Sequence, residues 1–574
     1  MNSVVREPST LGNKRWFQGR EDWAALFVAP LMILGGFLNF VFYHRYNLLA
    51  PETLIAFSIL VGSGLIVGLL TVIVRSDRVR VAFFGLLLIV FCDIQFGLRQ
   101  VAELEFAGDS SFLRFLILAV VLLPATFAVM ALRRNLATIL VAFFVTFLIA
   151  TIVLPSKPVL FGPQTIDTVA PAAEDLPPIV HLILDGHIGV EGIPQNIEGG
   201  PELRQALVNF YLSRGFRVFG RAYSRYFLTR HAITSLFNPG PPNFHDWLTD
   251  LGNNRWSLHQ NRYFDRLSDE GFLIRVYQND YMNFCQNPAT SFEACYKYPA
   301  ASPRLLSDMD ISVTGKSALL ISASLDKSAI FNAAMELYDK LSKLAQTIDV
   351  GLFPPRNRHS YTLFSLGALD VVDEVIADIA TAPKGRVYFV HLLLPHGPYI
   401  FLQDCRVRFD VVDWRDRRLE HHYPDTVGTI EYREAAYKQY FAQIHCLMIA
   451  LDKVFDALKQ AGVWDDSTII LHGDHGSRIT LRDPFETHLD VLSSRDMIDS
   501  YSTFYAIRSP DFAAGYDRRT VSIQDLFAEQ IFDSDRVSDE DIVHSAPNIR
   551  HPMRRIQMVP IGPDEPATPT TVTN

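Results

Sequence analysis

The chain has 574 residues, of which 49% are hydrophobic and 20% charged, and its mean hydropathy is +0.13. This composition excludes a disordered chain, a collagen and a small disulfide-stapled scaffold, and it is too apolar for an ordinary soluble enzyme. Residues 1–154 hold 12 Lys and Arg against 9 Asp and Glu, whereas the rest of the chain holds 40 against 53. The acidic second part lacks the basic surface that nucleic-acid binding requires, so we expect no nucleic-acid partner. These numbers predict a membrane anchor that carries one large globular domain.

Five apolar stretches in the first part are each close to the roughly 20 residues that a helix needs to cross a bilayer. They cover residues 23–43, 53–74, 81–98, 111–132 and 136–154. A cleavable signal peptide does not explain them, because it has a single short apolar core. The sequence therefore predicts a cytoplasmic N-terminus over residues 1–22 and a domain of five transmembrane helices over residues 23–154.

Arginine and lysine residues are distributed unevenly between the flanks of these stretches. Nine lie before the first stretch, between the second and third, or between the fourth and fifth, and only Arg45 and Arg99 lie in the alternate loops. Because positive flanks stay in the cytoplasm, an odd number of spans exports everything after Leu154. We expect a multi-pass protein of the bacterial inner (cell) membrane with a periplasmic, or otherwise extracytoplasmic, catalytic domain. Asp93, in the third stretch, is either a functional carboxylate or one that faces neighbouring helices, and we favour the second reading.

The exported part begins with a Pro-rich linker, residues 155–178, and ends with a flexible tail, residues 556–574. Between them, residues 179–555 alternate apolar runs with helical patterns, which predicts an α/β domain with a mostly parallel central sheet. The clearest strands are residues 179–185, 386–394 and 467–474, and residues 432–462 form the longest helix. An amphipathic pattern over residues 327–348 could lie on the membrane, but such helices most often pack on their own domain.

Four of the five cysteines lie on the exported side. Cys285 and Cys295 bracket a short polar loop and are predicted to form a disulfide in an oxidising compartment. Whether Cys405 and Cys446 also pair stays open.

Each of the three clear strands ends in residues that can bind a metal. Asp185 ends the first, His396 follows the second within PHGPY, and Asp474 and His475 end the third within GDHG. Each of these residues has a structural reading as a turn, loop or helix-capping residue. In parallel sheets, however, ligands bind beyond the carboxyl ends of the strands, so three such ends together favour a functional site.

The order of these segments resembles the alkaline phosphatase/sulfatase superfamily, over about residues 178–510. The multi-span anchor is similar to the membrane-anchored, lipid-using branch of that superfamily, which includes phosphoethanolamine transferases and lipoteichoic acid synthases. The resemblance implies a sulfatase-like fold and a nucleophile that opens a helix after an aromatic-rich segment. Here that segment is residues 221–238, and Thr229 falls at the nucleophile position.

Two alternatives to this assignment remain at the level of the sequence. Thr229 could serve only as a helix N-cap, and Ser224, Thr234 and Ser235 are competing hydroxyls. Sulfatases that generate formylglycine need Cys-x-Pro-x-Arg or Ser-x-Pro-x-Arg, whereas this segment reads TRHAI. Phosphoryl transfer through a threonine therefore fits better than sulfate-ester hydrolysis.

The resemblance also implies a divalent metal ion, held by Asp185, Asp474 and His475 together with Thr229. Carboxylate and imidazole ligands suit zinc or manganese, and the ion would activate the threonine hydroxyl. His396 would contact the transferring phosphoryl group or protonate the leaving alcohol. Weaker candidates for substrate binding are His488, His472 and Arg478, with Arg230 as a further anion-binding residue, whereas His391 is expected to pack inside the sheet.

The leading hypothesis is a phosphotransferase that moves a phospho-headgroup from a membrane lipid donor to an envelope lipid or glycan acceptor. A phosphodiesterase or phosphatase that uses water as acceptor is the alternative within the enzyme class. A degenerate, non-catalytic envelope scaffold is the third possibility, against which the intact Asp185, Thr229, Asp474 and His475 argue.

Overall fold

The computed structural model describes most of the predicted anchor and most of the exported part. The described residues are 20–74, 76–96, 135–153, 163–165, 175–251, 255–279, 281–286, 290, 292–298, 306–307, 309–325, 328, 330–331, 333–334, 337, 365–415, 429–532, 542–545 and 555–557. The chain divides into two compact units. The membrane unit comprises residues 1–159 and 316–355, and the exported unit comprises residues 160–315 and 356–574. The sequence predicts one uninterrupted exported domain over residues 179–555, and the observed division differs because residues 316–355 group with the membrane unit.

Long apolar helices form the membrane unit. They are α1 (Arg20–Tyr43), α2 (Pro51–Ile73), α3 (Asp77–Phe96) and α4 (Leu136–Val153). Among the described residues, α1, α2 and α4 are long and apolar enough to cross a membrane, and they coincide with the first, second and fifth predicted stretches. Helix α3 covers the third predicted stretch, and the fourth, residues 111–132, lies outside the described residues. The apolar anchor is therefore present, while the number of five spans stays a prediction.

Helices α1 and α2 approach each other through two glycines spaced four residues apart. A Cβ at Gly64 would lie 2.7 Å from Pro30 Cα, and one at Gly68 would collide with the Leu26 carbonyl oxygen. Small residues at this spacing let two helix backbones touch, which is how helices gain contact in a lipid solvent that offers no hydrophobic driving force. The apolar pattern of α2 thus predicts a membrane-spanning helix. Its two glycines determine that α1 packs against it.

A nine-stranded sheet is the centre of the exported unit. Its strands are β1 (Pro163–Thr165), β2 (Ile179–Leu184), β3 (Arg217–Tyr223), β6 (Leu273–Gln278), β8 (Phe292–Lys297), β9 (Arg386–Leu392), β10 (Thr468–His472), β11 (Tyr505–Arg508) and β12 (Gly515–Ser522). The strand order is β1-β8-β6-β9-β2-β10-β11-β3-β12, and the five strands from β8 to β10 are mutually parallel. This confirms the predicted mostly parallel α/β architecture, whose central strands are apolar because helices cover both of their faces.

The remaining elements flank this sheet or extend from it. The helices are α5 (Gly200–Leu212), α6 (Thr229–Phe237), α7 (Phe244–Trp247), α8 (Arg262–Asp269), α9 (Val313–Leu325), α10 (Leu366–Thr381), α11 (Ile430–Gln460), α12 (Ser494–Tyr501) and α13 (Ile523–Phe532). Strands β4 (Leu248–Asp250), β5 (Trp256–Leu258) and β7 (Met282–Asn283) form a small sheet, and β13 (Ile542–His544) pairs with β14 (Arg555–Gln557). From Lys316 onwards, α9 belongs to the membrane unit.

The hydrophobic core on one face of the sheet lies between the strands and helices α6, α8 and α13. Ile183 of β2, Phe389 of β9 and Ile470 of β10 pack there against Phe237 and Phe527. Alternate residues of each strand face this core, as the two-residue period of a strand requires. The opposite face carries α5, α10 and α11, and α11 is the long helix expected from residues 432–462.

Two disulfides cross-link the exported unit. The predicted pair Cys285–Cys295 is confirmed, and Cys405 pairs with Cys446 of α11. Cys92 is the free cysteine of the chain. The second disulfide ties the segment that follows PHGPY to the long helix.

Candidate active site

The three strand ends meet because β2 lies between β9 and β10. Leu184 of β2 pairs with Leu392 of β9, and Ile183 pairs with His472 of β10, so all three strands end at the same level. Asp185 therefore follows β2 directly beside the loop after β9 and the Gly473–His475 segment after β10. The parallel arrangement brings together residues that are up to 290 positions apart in the chain.

Asp185, Asp474 and His475 form a buried cluster whose ligand atoms all lie within 4.8 Å of one another. His475 Nε2 lies 3.2 Å from Asp474 Oδ2 and 3.6 Å from Asp185 Oδ1. Thr229 Oγ1 lies 3.2 Å from the same nitrogen. The predicted nucleophile and the three predicted ligands thus lie in one site.

The protonation of His475 shows why a cation fits between these residues. His475 Nδ1 lies 2.8 Å from the Gly476 carbonyl oxygen and must donate to it, so Nε2 carries a lone pair. Asp185 Oδ1 and Asp474 Oδ2 are buried and have no hydrogen-bond partner among the described residues. Two carboxylate oxygens without a donor thus lie beside an imidazole nitrogen that accepts from Arg478 Nη1 over 2.9 Å. Burial of such groups is unfavourable unless a cation compensates, and their ligand types suit a divalent metal ion.

The electrostatics of the two carboxylates differ. Burial opposes ionisation of Asp185, but His396, His391 and His475 more than compensate, so its pKa lies well below the ordinary value. Burial and the nearby negative charge of Asp185 raise the pKa of Asp474. The pair therefore carries less than two full negative charges at neutral pH unless a cation binds, because two like charges this close oppose each other.

Thr229 is the first residue of helix α6, and Leu228 occupies the N-cap position. The reading of Thr229 as a side-chain N-cap is therefore wrong. The competing hydroxyls have other surroundings: Ser224 Oγ donates to the Tyr226 carbonyl, Ser235 Oγ donates to the Ala232 carbonyl, and Thr234 lies buried further along the helix. Thr229 is the hydroxyl of this segment that reaches the cluster.

Residues outside the predicted ligand set hold the ligands in place. His391 Nε2 lies 3.2 Å from Asp185 Oδ2, while Asn279 Nδ2 donates to His391 Nδ1 over 3.3 Å. The Asn279 contact fixes the proton of His391 on Nε2, so His391 donates to the carboxylate. His391 is buried in its strand as expected, but it also orients the proposed ligand Asp185. The Gly186 amide similarly donates to Asp474 Oδ1 over 2.9 Å.

The glycine of the DHG sequence is required by close packing. A Cβ at Gly476 would collide with the Asp499 carbonyl oxygen, and the Gly476 amide donates to the Ser500 carbonyl oxygen over 3.0 Å. Gly476 thus lets the chain after β10 turn tightly beneath the site, which fixes the position of His475.

The PHGPY loop is fixed by two side chains from neighbouring elements. Gln443 of α11 donates to the carbonyl oxygens of Pro395 and His396, and Ser365 Oγ donates to those of His396 and Pro398. His396 Nδ1 lies 2.6 Å from the Gly397 carbonyl oxygen. His396 Cα lies 3.8 Å from the position of a Cβ on Gly186, so this loop borders the cluster. The role of His396 in contacting the phosphoryl group or protonating the leaving alcohol stays a prediction.

Two arginines border the cluster with their guanidinium groups against aromatic rings. Arg478 Nη1 donates to His475 Nε2 over 2.9 Å, and its Cζ lies 4.6 Å from the centre of the Phe227 ring. Arg230 Cζ lies 4.5 Å from the Trp256 ring centre, and Arg230 forms a hydrogen bond with Tyr281. Within the part of the chain that the structure describes, neither guanidinium forms an ion pair with a carboxylate. Arg225 and Arg433, in contrast, pair with Asp525 and Asp499.

His472, one of the weaker predicted site residues, does not join the cluster. His472 is buried on the opposite side of its strand, where its Nε2 lies 2.8 Å from His181 Nε2 and its Nδ1 lies 2.7 Å from the Gly473 carbonyl oxygen. Its expected role in substrate binding is a wrong prediction, because His472 faces the same core as Ile470, two residues earlier. His488 lies in the short helical turn Glu486–Val491, and its side chain is outside what the structure describes.

The fold and the site define a class. A mostly parallel α/β domain carries a helix-opening threonine beside a buried Asp/Asp/His cluster at the strand ends. The Sulfatase family model matches residues 353–490, which include the His396 loop and Asp474–Gly476. This match confirms the resemblance to the alkaline phosphatase/sulfatase superfamily and shows that the chain carries an enzyme domain of that type. No curated protein gives a significant match to the chain.

Several solved structures are similar to the chain at low sequence identity. The phosphonate monoester hydrolase of Agrobacterium radiobacter is 15% identical over 65% of this chain and 81% of that one, with a TM-score of 0.37. The lipoteichoic acid synthase LtaP from Listeria monocytogenes is 13% identical over 69% and 89%, with a TM-score of 0.34. The C-terminal periplasmic domain of EcEptC from Escherichia coli is 12% identical over 70% and 96%, with a TM-score of 0.36.

Proposed function

We propose that the protein is a membrane-anchored, metal-dependent phosphotransferase that moves a phospho-headgroup from a lipid donor to an envelope acceptor. The observation that carries this proposal is the position of Thr229 Oγ1, 3.2 Å from His475 Nε2 in the buried Asp185, Asp474 and His475 cluster. The apolar helices of the same chain favour a lipid as donor. The proposed orientation places the domain outside the cytoplasm, where envelope acceptors lie.

The nucleophile in this mechanism is the Thr229 oxygen. Asp474 lies beside this hydroxyl, and we propose that its carboxylate receives the proton as the oxygen attacks phosphorus. The bond from phosphorus to the leaving alcohol breaks, and the phospho-headgroup is left on Thr229. Attack by an acceptor hydroxyl then breaks the bond to Thr229 and completes the transfer.

A divalent ion held by Asp185, Asp474 and His475 would polarise the phosphoryl oxygen and lower the pKa of the threonine hydroxyl. His391 keeps Asp185 oriented toward that position through its hydrogen bond to Oδ2. His396 borders the cluster and is the residue that we propose to protonate the leaving alcohol.

Arg230 and Arg478 complete the site as binding residues for the non-bridging phosphoryl oxygens. The ring beneath each guanidinium fixes its plane, and neither has a carboxylate partner among the described residues. His475 Nε2 has one lone pair, so it cannot coordinate a metal ion and accept from Arg478 at the same time. A metal-loaded site therefore leaves Arg478 Nη1 available for a substrate oxygen.

The test uses the full-length protein in detergent with a fluorescent phospholipid as donor. We expect release of diacylglycerol and, after rapid quenching, a peptide that carries the phospho-headgroup on Thr229. Thr229→Ala should lower turnover by at least about 10⁴-fold because it removes the attacking atom. Ser235→Ala is the matched control, since this hydroxyl lies on the same helix and donates to a backbone carbonyl. Full turnover by Thr229→Ala would overturn the assignment.

The same experiment separates the competing functions. A hydrolase would convert soluble phosphodiesters as fast as lipid donors and transfer nothing to an added alcohol. A scaffold would contain no metal after purification and would not respond to a chelator. Transfer to an added alcohol that depends on Thr229 supports the phosphotransferase.

A further inference from the structure

Part of the exported sequence returns to the membrane unit. The chain leaves the exported unit after Gly315 and re-enters it at Arg356, so it crosses between the two units three times. We call residues 316–331 the docking segment, which comprises most of helix α9 and the residues that follow it. The amphipathic pattern over residues 327–348 was expected to pack on its own domain, but its described residues belong to the membrane unit.

Asp93 of helix α3 is the main polar contact of the docking segment. Its carboxylate is fully buried, and Oδ2 accepts hydrogen bonds from Ser328 Oγ over 2.6 Å and from the Ile330 amide over 2.8 Å. Ser328 Oγ also accepts from the Phe331 amide over 3.0 Å. Asp93 and Ser328 thus satisfy the backbone amides of Ile330 and Phe331, both of which are helical. The carboxylate binds a side chain and a backbone amide from a different part of the chain.

A second contact lies at the same end of the membrane helices. Ser317 Oγ donates to the Glu52 carbonyl oxygen over 3.0 Å, at the start of α2. Near the ends of α1 and α3, Asn39 donates to Gln95 over 3.3 Å. The opposite ends of α1 and α3 are joined by the ion pair Asp22–Arg80 at 3.1 Å. The docking segment therefore contacts the helix ends that the distribution of positive residues places outside the cytoplasm, which is where exported sequence must lie.

We propose that Asp93 holds the docking segment on the membrane helices and thereby directs the enzyme to membrane-held phosphodiesters. This rests on the proposed function, because it names the substrates that benefit. The Pro-rich linker of 24 residues alone would allow a reach of up to about 80 Å. A docked second connection shortens the tether of the catalytic unit and so raises the effective concentration of lipid donors that this unit meets. A soluble phosphodiester gains nothing from this shorter tether.

The docking itself is tested by cysteine cross-linking in native membranes. In a Cys92→Ser background, Glu52→Cys and Ser317→Cys place two thiols at the second contact, and mild oxidation followed by mass spectrometry measures their disulfide. We expect efficient cross-linking, and at least a fivefold lower yield when Asp93→Leu is added. Asp22→Leu is the matched control, because it removes a carboxylate from the opposite end of the helices. Equal yields with Asp93 and with Asp93→Leu would overturn the proposal.

The functional consequence is tested with two substrates of the same bond type. Asp93→Leu and Ser328→Ala should lower turnover of a phospholipid in vesicles on the order of tenfold, while turnover of bis(p-nitrophenyl) phosphate stays at the wild-type level. Equal loss on both substrates, or loss on neither, would overturn the proposal. If the wild-type protein converts neither substrate, the proposed function fails, and the cross-linking result still decides whether Asp93 docks the segment.

Discussion

The membrane unit and the exported unit both bury carboxylates, but they treat them differently. Asp93 accepts two hydrogen bonds on one oxygen from the docking segment. Asp185 Oδ1 and Asp474 Oδ2 accept none from any described residue, although both are buried. A buried carboxylate with partners stabilises a contact, whereas buried carboxylate oxygens without partners mark a place where another charge must bind. The comparison distinguishes Asp93 from the two proposed metal ligands by the partners of their carboxylate oxygens.

Substitution of Asp474 is expected to have the largest effect on metal content and turnover, and it tests whether the two kinds of buried carboxylate differ in role. Asp474→Asn removes a negative charge from the proposed metal site, so we expect the metal content of the purified protein to fall below a tenth and turnover to fall by roughly 10³-fold or more. Metal analysis of the protein and assays with added zinc and manganese measure both. Asp93→Asn is the matched control and should retain its full metal content. Loss of metal from both variants would show that the two carboxylates are not distinct in role.

Arg478 and Arg230 test the same site through its positive charges. Arg478→Gln and Arg230→Gln should each lower kcat/KM for a phosphodiester by about 10- to 100-fold, because each hydrogen bond to a charged group contributes roughly 1.5–3 kcal/mol. Metal content should not change. Arg518→Gln, at an exposed position of β12, is the control. An unchanged kcat/KM for both site variants would remove the arginines from the proposed substrate site.

His391 is expected to have a smaller effect, because it acts on a ligand and not on the substrate. His391→Gln should weaken metal binding by about tenfold, in the range seen for residues that orient metal ligands. Activity should return when the metal concentration is raised, which a general folding defect would not allow. Metal titrations of turnover in the wild type and the variant provide the measurement.

The buried pair His181 and His472 predicts a loss of stability in acid. Burial lowers the pKa of both, that of His181 well below 6.5 and that of His472 to about 4. Because the folded-state pKa lies below the unfolded one, this stability is complete above about pH 6.5 and is lost as the pH falls toward 4. For His472 alone, the free energy of unfolding is expected to fall by an amount on the order of 3 kcal/mol. Thermal unfolding of the protein between pH 8 and 4 measures it.

The control for the loss of stability in acid is a solvent-exposed histidine. His245 is exposed, so His245→Gln should leave the pH profile unchanged, whereas His472→Gln should flatten it between pH 6.5 and 4. A profile that is equally steep in the wild type and in His472→Gln would assign the acid sensitivity to other groups.

The sequence predicted the fold class because its signals are local. A 20-residue apolar stretch must be a helix in lipid, and a short run of apolar residues that ends in Asp or His is typical of a buried parallel strand at a site. Spans one, two and five and strands β2, β9 and β10 are therefore found where expected. Which elements pack against each other, in contrast, does not follow from local sequence patterns. Residues 316–355 group with the membrane unit, and Ser328 within them contacts Asp93, more than 200 positions earlier, although no pattern within the segment indicates this contact.

The candidate site shows the same limit at the scale of single residues. Thr229, Asp185, Asp474, His475 and His396 were predictable because each follows a strand or opens a helix. His472 was misassigned although the two-residue period of its strand already pointed it away from the site. Gln443, Ser365 and Asn279 carry no signal of their own, since amide and hydroxyl side chains acquire their role only through the partners that the fold supplies.

The sequence by itself determined the apolar anchor, the parallel α/β domain and the chemical types available at the strand ends, because these follow from residue periodicity and from the order of motifs. Tertiary structure decided which of those groups share a site. It placed Thr229 against His475, left two carboxylate oxygens without partners among the described residues, and brought Ser328 and Ile330 to Asp93. Hydrogen bonds and charge interactions act over a few ångströms in space, and only the folded chain brings such distant residues within that range.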